Sequence, residues 1–337
     1  MKDREIVIEG IGTYLPKNRV DNEAISKLAG VDYSESHKRT GVVTRHFANR
    51  DEGETAPEMG AKAARQAMER AGCTIDDIDL IIGASGTSHQ FIPDQGVFIQ
   101  DALGAGNSGI ASFGVHASCL SFLKALDIAA SHLAVGRYKR VLIVTAEFAS
   151  AGLNLRDAES GPLFGDGAAA AVVRARVEND PLSPNAAVHD MQFESYGADS
   201  HLTGVPGSGT NRPANDPETP LELSYFRMNG FRLLSRAIKH LPPFMEKLYP
   251  SLATGETGDT LFVLHQASRA AMNLAHRVGF PEDYVVRTLE EYGNCVGASL
   301  PLTLNKAIET GKLKRGQKFV MVGTAAGVTY GGAVLTY

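Results

Sequence analysis

The chain of 337 residues has no tryptophan, only three cysteines, no surplus of positive charge and no long apolar run. Each shortage removes a class of protein. Cys73, Cys119 and Cys295 are odd in number and far apart, which fits neither a disulfide framework nor a paired zinc knuckle and leaves at least one thiol free. The histidines show no metal-ligand spacing and no H-E-x-x-H pattern, so no metal site is expected. A net charge of −5 with scattered Lys and Arg gives no footprint for DNA or RNA. No stretch approaches the roughly 20 apolar residues of a membrane helix. The opening segment MKDREIVIEGIGTYLP lacks the apolar core and cleavage site of a signal peptide, so a cytoplasmic protein is expected, without membrane or nucleic-acid partners.

What the chain does contain points to a folded α/β enzyme: 43% hydrophobic residues, 21% charged residues and 35 glycines, a composition suited to closely packed layers. Apolar, β-prone runs at Ile6–Ile11, Leu80–Ala84, Phe113–Val115, Val141–Thr145 and Ala168–Val173 predict five strands in the first half. Five more are predicted at Val188–Phe193, Leu261–His265, Tyr284–Thr288, Lys318–Val322 and Val328–Leu335. Helices are predicted at Ala56–Ala71, ending at Gly72, and after Cys119 to near Gly136. Others follow at Gly230–Tyr249, Arg269–Val278 and Ala298–Thr310. Pro, Ser and Asn concentrate after Pro181, which sets the expected boundary between halves at 1–180 and 181–337. The halves have similar content without a residue-level repeat. The loop-rich Gly204–Pro220 reads as an exposed excursion bordering a substrate entrance.

Three segments carry the candidate chemistry. Cys119, in His116-Ala117-Ser118-Cys119-Leu120-Ser121-Phe122, follows an apolar strand and opens a helix, where unsatisfied N–H groups and the helix dipole are expected to lower a thiol's pKa. The same residue is equally compatible with a small buried hydrophobe. His265 ends the run Leu261–Leu264, at the strand edge where α/β sheets carry reactive groups, and Ser268 reads as the N-cap of the next helix. A lone His there is also a common structural residue. Asn294 lies in the glycine-flanked Tyr292-Gly293-Asn294-Cys295-Val296-Gly297, which by itself is an ordinary turn. Phe164-Gly165-Asp166-Gly167-Ala168 lacks the Lys-Ser/Thr of a phosphate loop and reads as a packing turn. The order Cys, His, Asn also matches a papain-like protease. That alternative needs a Cys-Gly-Ser/Ala-Cys-Trp/Tyr surround near a mature N-terminus, which is absent here.

With Ile11-Gly12-Thr13-Tyr14-Leu15-Pro16, Arg39-Thr40-Gly41-Val42 and Gly327-Val328-Thr329-Tyr330-Gly331, these segments make the chain resemble, over nearly its whole length, the β-ketoacyl-acyl-carrier-protein synthase III group of the thiolase superfamily. The resemblance implies an α/β, thiolase-like αβαβα five-layer fold from two duplicated halves, and a homodimer. It implies Cys119, His265 and Asn294 as catalytic residues, with the N–H groups of Cys119 and Ala326 as the oxyanion hole. Phe91, Ile92 and Leu120 would gate the acyl pocket at the dimer interface, while Arg39, Ser268 and Arg269 would contact the carrier or its pantetheine. Acyl-CoA or acyl-carrier-protein thioesters would be the substrates, malonyl-acyl-carrier protein the extender, and no cofactor would be needed.

Departures bear on the substrate. Acetyl-CoA-primed members often carry a Trp shortly before the Arg-Thr-Gly segment, where this chain has Glu35-Ser36-His37-Lys38, and Ser121 replaces a glycine of the Cys motif. A non-acetyl primer is therefore expected. No Glu stands at Phe91 or Ile92, where members joining two acyl chains without decarboxylation carry a base. Retention of Asn294 favours decarboxylative condensation over simple acyl transfer. Retention of all three catalytic residues argues against a non-catalytic docking subunit.

Overall fold

Residues 3–207, 209–213 and 215–337 are described by the computed structural model of the chain. Two five-stranded sheets form its frame. The first contains β1 (Ile6–Tyr14), β2 (Leu80–Gly83), β3 (Ala111–Gly114), β4 (Arg140–Glu147) and β5 (Gly167–Ala175) in the order β1-β5-β4-β2-β3. The second contains β6 (Ala187–Ser195), β7 (Leu261–Leu264), β8 (Val285–Val286), β9 (Lys318–Ala325) and β10 (Thr329–Thr336) in the order β6-β10-β9-β7-β8. Both sheets have the same pattern: two antiparallel pairings followed by two parallel ones. Even the irregularity in the first ladder recurs, between Ile8 and Gly10 in β1 and between Val334 and Leu335 in the β10–β6 pair.

The helices follow the same duplication. In the first half α1 (Ala56–Ala71), α2 (Gln95–Ala102) and α3 (Ser121–Ala134) follow β1, β2 and β3, and in the second α4 (Gly230–Leu248), α5 (Arg269–Val278) and α6 (Ser299–Glu309) follow β6, β7 and β8. α1 and α2 cover the outer face of the first sheet, and α4 packs on the outer face of the second beside α5. α3 and α6 touch both sheets and each other, so they form the central layer. Helices between two sheets must be apolar on opposite sides. Accordingly α6 buries most of its length, including Leu300, Leu302, Leu304 and Ala307, and α3 buries Phe122, Leu123, Leu126, Ala130 and Leu133. The result is the five-layered αβαβα fold of two duplicated halves.

Each expected strand run overlaps an observed strand, and the helix after Ala56 begins and ends as its residues dictate. Thr55 caps it by accepting from the Glu58 N–H, Pro57 occupies the first turn, and Gly72 closes it in the left-handed region at φ 65°. Its alanine stripe lies directly on β1. A Cβ at Gly12 would stand 2.2 Å from the Ala63 carbonyl oxygen, so only glycine permits this approach. The short α2 was not anticipated, because Gln95 and Gly96 break any apolar period. Gly83 lets the Gly96 backbone abut β2, where a Cβ would come to 2.8 Å from the Gly96 nitrogen, and Gln95 is buried while donating to the Ala146 carbonyl.

Candidate active site

The two halves meet through a pair of equivalent turns. Ser118–Leu120 and Val296–Ala298 each form one 3-10 turn, and each leads into a central helix through a serine, Ser121 or Ser299, with φ −55° and ψ −45°. Ser118 and Val296 both lie in the left-handed region, at φ 51° and 48°. A β-branched residue there is a true outlier, so the surrounding structure must impose this backbone. Cys119 is therefore held in a tight turn just before the helix; the helix itself starts at Ser121.

Ser121, the residue that replaces glycine, is fully buried and fastens this turn. Its hydroxyl accepts from the Ala117 N–H at 2.9 Å and donates to the Ser118 carbonyl at 2.7 Å. Leu120 points into the core: a Cβ at Gly323 would lie 3.3 Å from its Cδ2, and one at Gly331 would lie 3.0 Å from its Cδ1. Phe91 and Ile92 instead stand on the surface, 76% and 84% exposed, so the three expected gate residues do not form one cluster within the chain.

His265 continues β7, its N–H donating to Val322 at 2.9 Å, and its Cβ would be 2.7 Å from a Cβ at Gly323. Gly323 is thus the shared neighbour of His265 and of Leu120, which follows Cys119. The imidazole is buried, its Nδ1 without a hydrogen-bond partner among the described residues, and burial lowers its pKa to about 4. It is neutral at pH 7. Gln266, also buried, spans from the Leu264 and Val286 carbonyls to the N–H groups of Thr288 and Leu289, tying β7 to the segment that leads to Asn294.

Asn294 is buried and oriented at both ends of its amide. Oδ1 accepts from the Val296 N–H at 2.9 Å, and Nδ2 donates to the Ala267 carbonyl at 3.2 Å, two residues beyond His265. One N–H of the amide remains for a ligand. Its backbone is fixed by the Gly165 N–H and the Leu163 carbonyl. The Phe164–Ala168 motif therefore has a definite task. Gly165 lets the Tyr292 carbonyl approach, where a Cβ would come to 2.3 Å, and the buried Asp166 accepts from Ala48 N–H, Ser150 N–H and Ser150 hydroxyl. Burial raises the Asp166 carboxyl to about 6 despite these bonds.

The Cys119 thiol departs from expectation. Burial, reinforced by the nearby Glu147 carboxylate, pushes it up to about 12, and the pull of its own backbone N–H is the smaller effect. The lowering expected from a helix start is overturned because the cost of burying a thiolate outweighs the field of one short turn. Glu147 itself gave little signal in the sequence beyond being an acidic residue at the end of an apolar strand. It is fully buried at the base of the site, and burial raises its carboxyl to about 7.

At the rim, the Arg269 guanidinium donates to the Lys38 carbonyl at 3.2 Å, and Gly41 packs against the Arg269 side chain. Arg39 is exposed and donates to the Ala158 carbonyl. Arg39 and Arg269 thus flank one edge, while Ser268 is engaged in capping α5 through the Ala271 N–H. Ala326 follows β9, the strand that packs against the Cys119 turn, and lies half-buried in the turn to β10. Among the described residues no helix is long and apolar enough to cross a membrane. The arrangement brings the Cys119 turn together with a buried, neutral imidazole and an amide held at both ends.

Comparison with known proteins agrees with this construction. The family model for 3-oxoacyl-[acyl-carrier-protein] synthase III matches residues 113–197, and the one for its C-terminal part matches 257–337. A β-ketoacyl-[acyl-carrier-protein] synthase III of Rhizobium meliloti is 34% identical over 334 residues, covering 98% of this chain and 99% of the relative. Its counterpart in Bartonella bacilliformis is 32% identical over 332 residues, 98% of this chain and 99% of the relative. The crystal structure of 3-oxoacyl-[acyl-carrier-protein] synthase III from Aquifex aeolicus superposes with a TM-score of 0.84 at 30% identity, covering 98% of this chain and all of that one. The priming β-ketosynthase of the R1128 polyketide pathway superposes at 0.86 with 30% identity, covering 99% and 96%. With full-length relatives above 30% identity on a shared five-layered fold, the chain belongs to the 3-oxoacyl-[acyl-carrier-protein] synthase III family of the thiolase superfamily.

Proposed function

We propose that the chain is a decarboxylating condensing enzyme that extends a Cys119-bound acyl group with malonyl-acyl-carrier protein. The observation that carries this reading is the convergence of the Cys119 turn, His265 and the Asn294 loop, contributed by both halves, around Gly86 and Gly323.

In loading, Cys119 sulfur attacks the carbonyl carbon of an acyl thioester. Burial disfavours both the free thiolate and the imidazolium, so the thiol proton leaves as the S–C bond forms and passes by way of His265 to the departing thiol. The N–H groups of Cys119 and Ala326 stabilise the tetrahedral oxyanion. In condensation, the malonyl thioester loses CO₂ while His265 Nε2–H and the Asn294 amide donate to its thioester oxygen, stabilising the enolate. A neutral imidazole carrying its proton on Nε2 in this step suits that donation. The enolate carbon then attacks the acyl carbonyl, the C–S bond to Cys119 breaks, and the released sulfur takes up a proton from solvent. The product is a β-ketoacyl thioester, two carbons longer.

The same reading assigns a homodimer in which the exposed Phe91 and Ile92 close the partner's acyl pocket, a boundary between halves near residue 180, Arg39 and Arg269 as contacts for carrier or pantetheine, and a primer other than acetyl. Exposed Glu35 and Lys38, paired with each other, occupy the stretch where a stacking Trp is absent. Intact-protein mass spectrometry with acyl-CoA and acyl-carrier thioesters of graded length tests the reading. The parent protein is expected to gain one acyl group and Cys119→Ala none. Acylation of Cys119→Ala to the same extent would overturn the assignment.

A further inference from the structure

Glu147, the last residue of β4, is fully buried and takes no part in the steps above. Its carboxylate accepts four hydrogen bonds. Oε1 accepts from the N–H groups of Gly86 at 2.7 Å and Gly297 at 3.1 Å, and Oε2 accepts from the Thr87 N–H at 2.8 Å and the Thr87 hydroxyl at 2.7 Å. The Thr87 hydroxyl is oriented in turn, accepting from the Phe148 N–H at 2.9 Å. Three of the four donors are backbone N–H groups, which cannot reverse their role, so the arrangement is built for an acceptor.

These donors lie where the two halves of the site touch. Gly86 is pressed between them: a Cβ there would fall 2.7 Å from Val296 Cγ1 and 3.2 Å from the Ser118 carbonyl carbon. A Cβ at Gly297 would fall 2.7 Å from Glu147 Oε1 and 3.3 Å from the Ser118 carbonyl oxygen. One carboxylate thus lies beneath both left-handed turns, the one carrying Cys119 and the one that orients the Asn294 amide. We propose that Glu147 is a positioning residue for condensation, a buried acceptor whose bonds to Gly86, Thr87 and Gly297 hold the Cys119 turn in register with the Asn294 loop. This rests on the functional reading above. Loading needs the Cys119 turn, its N–H donors and proton transfer through His265, and does not use the Asn294 amide. Condensation also needs the Asn294 amide aimed at the second substrate while the acyl carbon faces the enolate, so a small slip between the turns falls chiefly on that step.

Glu147→Gln keeps the shape but turns an amide NH₂, a donor only, toward N–H and O–H donors. Single-turnover acyl loading from acyl-CoA thioesters and subsequent condensation with malonyl-acyl-carrier protein are measured separately, alongside a thermal melt. Loading is expected to stay within about threefold of the parent while condensation falls at least roughly tenfold. Thr87→Val, which removes one donor and leaves the carboxylate, is expected to lower condensation about threefold with loading intact. Condensation by Glu147→Gln within about twofold of the parent overturns the proposal, as does an equal fall in both steps, the result of a general loss of packing. If Glu147→Gln does not fold, the same two outcomes in Thr87→Val decide. A parent that accepts no acyl group overturns the functional reading and this proposal with it. A parent that loads and condenses beside an equally competent Glu147→Gln overturns this proposal alone.

Discussion

A nucleophile whose thiol is pushed up to about 12 is a reluctant one at rest, and that sets how Cys119 must behave toward reagents. Burial and the Glu147 carboxylate keep the proton on sulfur, so the thiolate fraction rises about tenfold per pH unit through the neutral and mildly alkaline range. The rate of Cys119 alkylation by iodoacetamide, followed by peptide mass spectrometry, is accordingly expected to climb from about pH 7 to 10 without levelling. A plateau between about pH 6 and 8 would mean a thiolate stabilised at rest. The sequence singles out Cys119 as the candidate nucleophile but not its desolvation, because a residue's position before a helix is local information while its burial is not. Glu147 and Gln266 were missed for the same reason. Their partners lie in Gly86–Thr87, Gly297, Val286 and Thr288, segments distant from or opposite them along the chain, and no spacing announces such contacts.

At the scale of elements, the strands and most helices were legible because each carries its own period, caps and punctuation: the alanine stripe of α1 with Thr55 and Gly72, or Ser268 and Gly279 around α5. α2 was not, since its position depends on the Gly96 backbone resting on Gly83 of β2, a contact between separate segments. The same close packing predicts where small changes are most costly. Gly12→Ala would drive a methyl to 2.2 Å from the Ala63 carbonyl and 2.4 Å from the Ala67 nitrogen, both backbone atoms of a regular helix. It is expected to destabilise the protein by about 1–3 kcal/mol, read as a lowered midpoint of thermal or urea unfolding. Gly152→Ala, with nothing within 4 Å of the new methyl, serves as the matched control and is expected to change little.

For the molecule as a whole, the duplication was visible in the sequence only as similar content in two halves. Strand order, the paired ladder irregularities and the equivalent turns at Ser118 and Val296 make it explicit, because what repeats is backbone geometry while the side chains have diverged to separate duties. The exposed pair Phe91 and Ile92 follows from the proposed homodimer, which would cover it. Phe91→Asp with Ile92→Ser is expected to shift sedimentation toward monomer and to blunt selection among acyl chain lengths. An unchanged dimer with unchanged selectivity would contradict that assignment. In the proposed mechanism the first half supplies the nucleophile and the second supplies the donors, a division tested most directly by separating the two half-reactions in His265→Ala and Asn294→Ala. Both variants are expected to accept an acyl group on Cys119, within roughly tenfold of the parent rate for Asn294→Ala, and to fall at least about a hundredfold in condensation with malonyl-acyl-carrier protein. Condensation at the parent rate in either variant, or loss of loading in Asn294→Ala while the fold is retained, would contradict it.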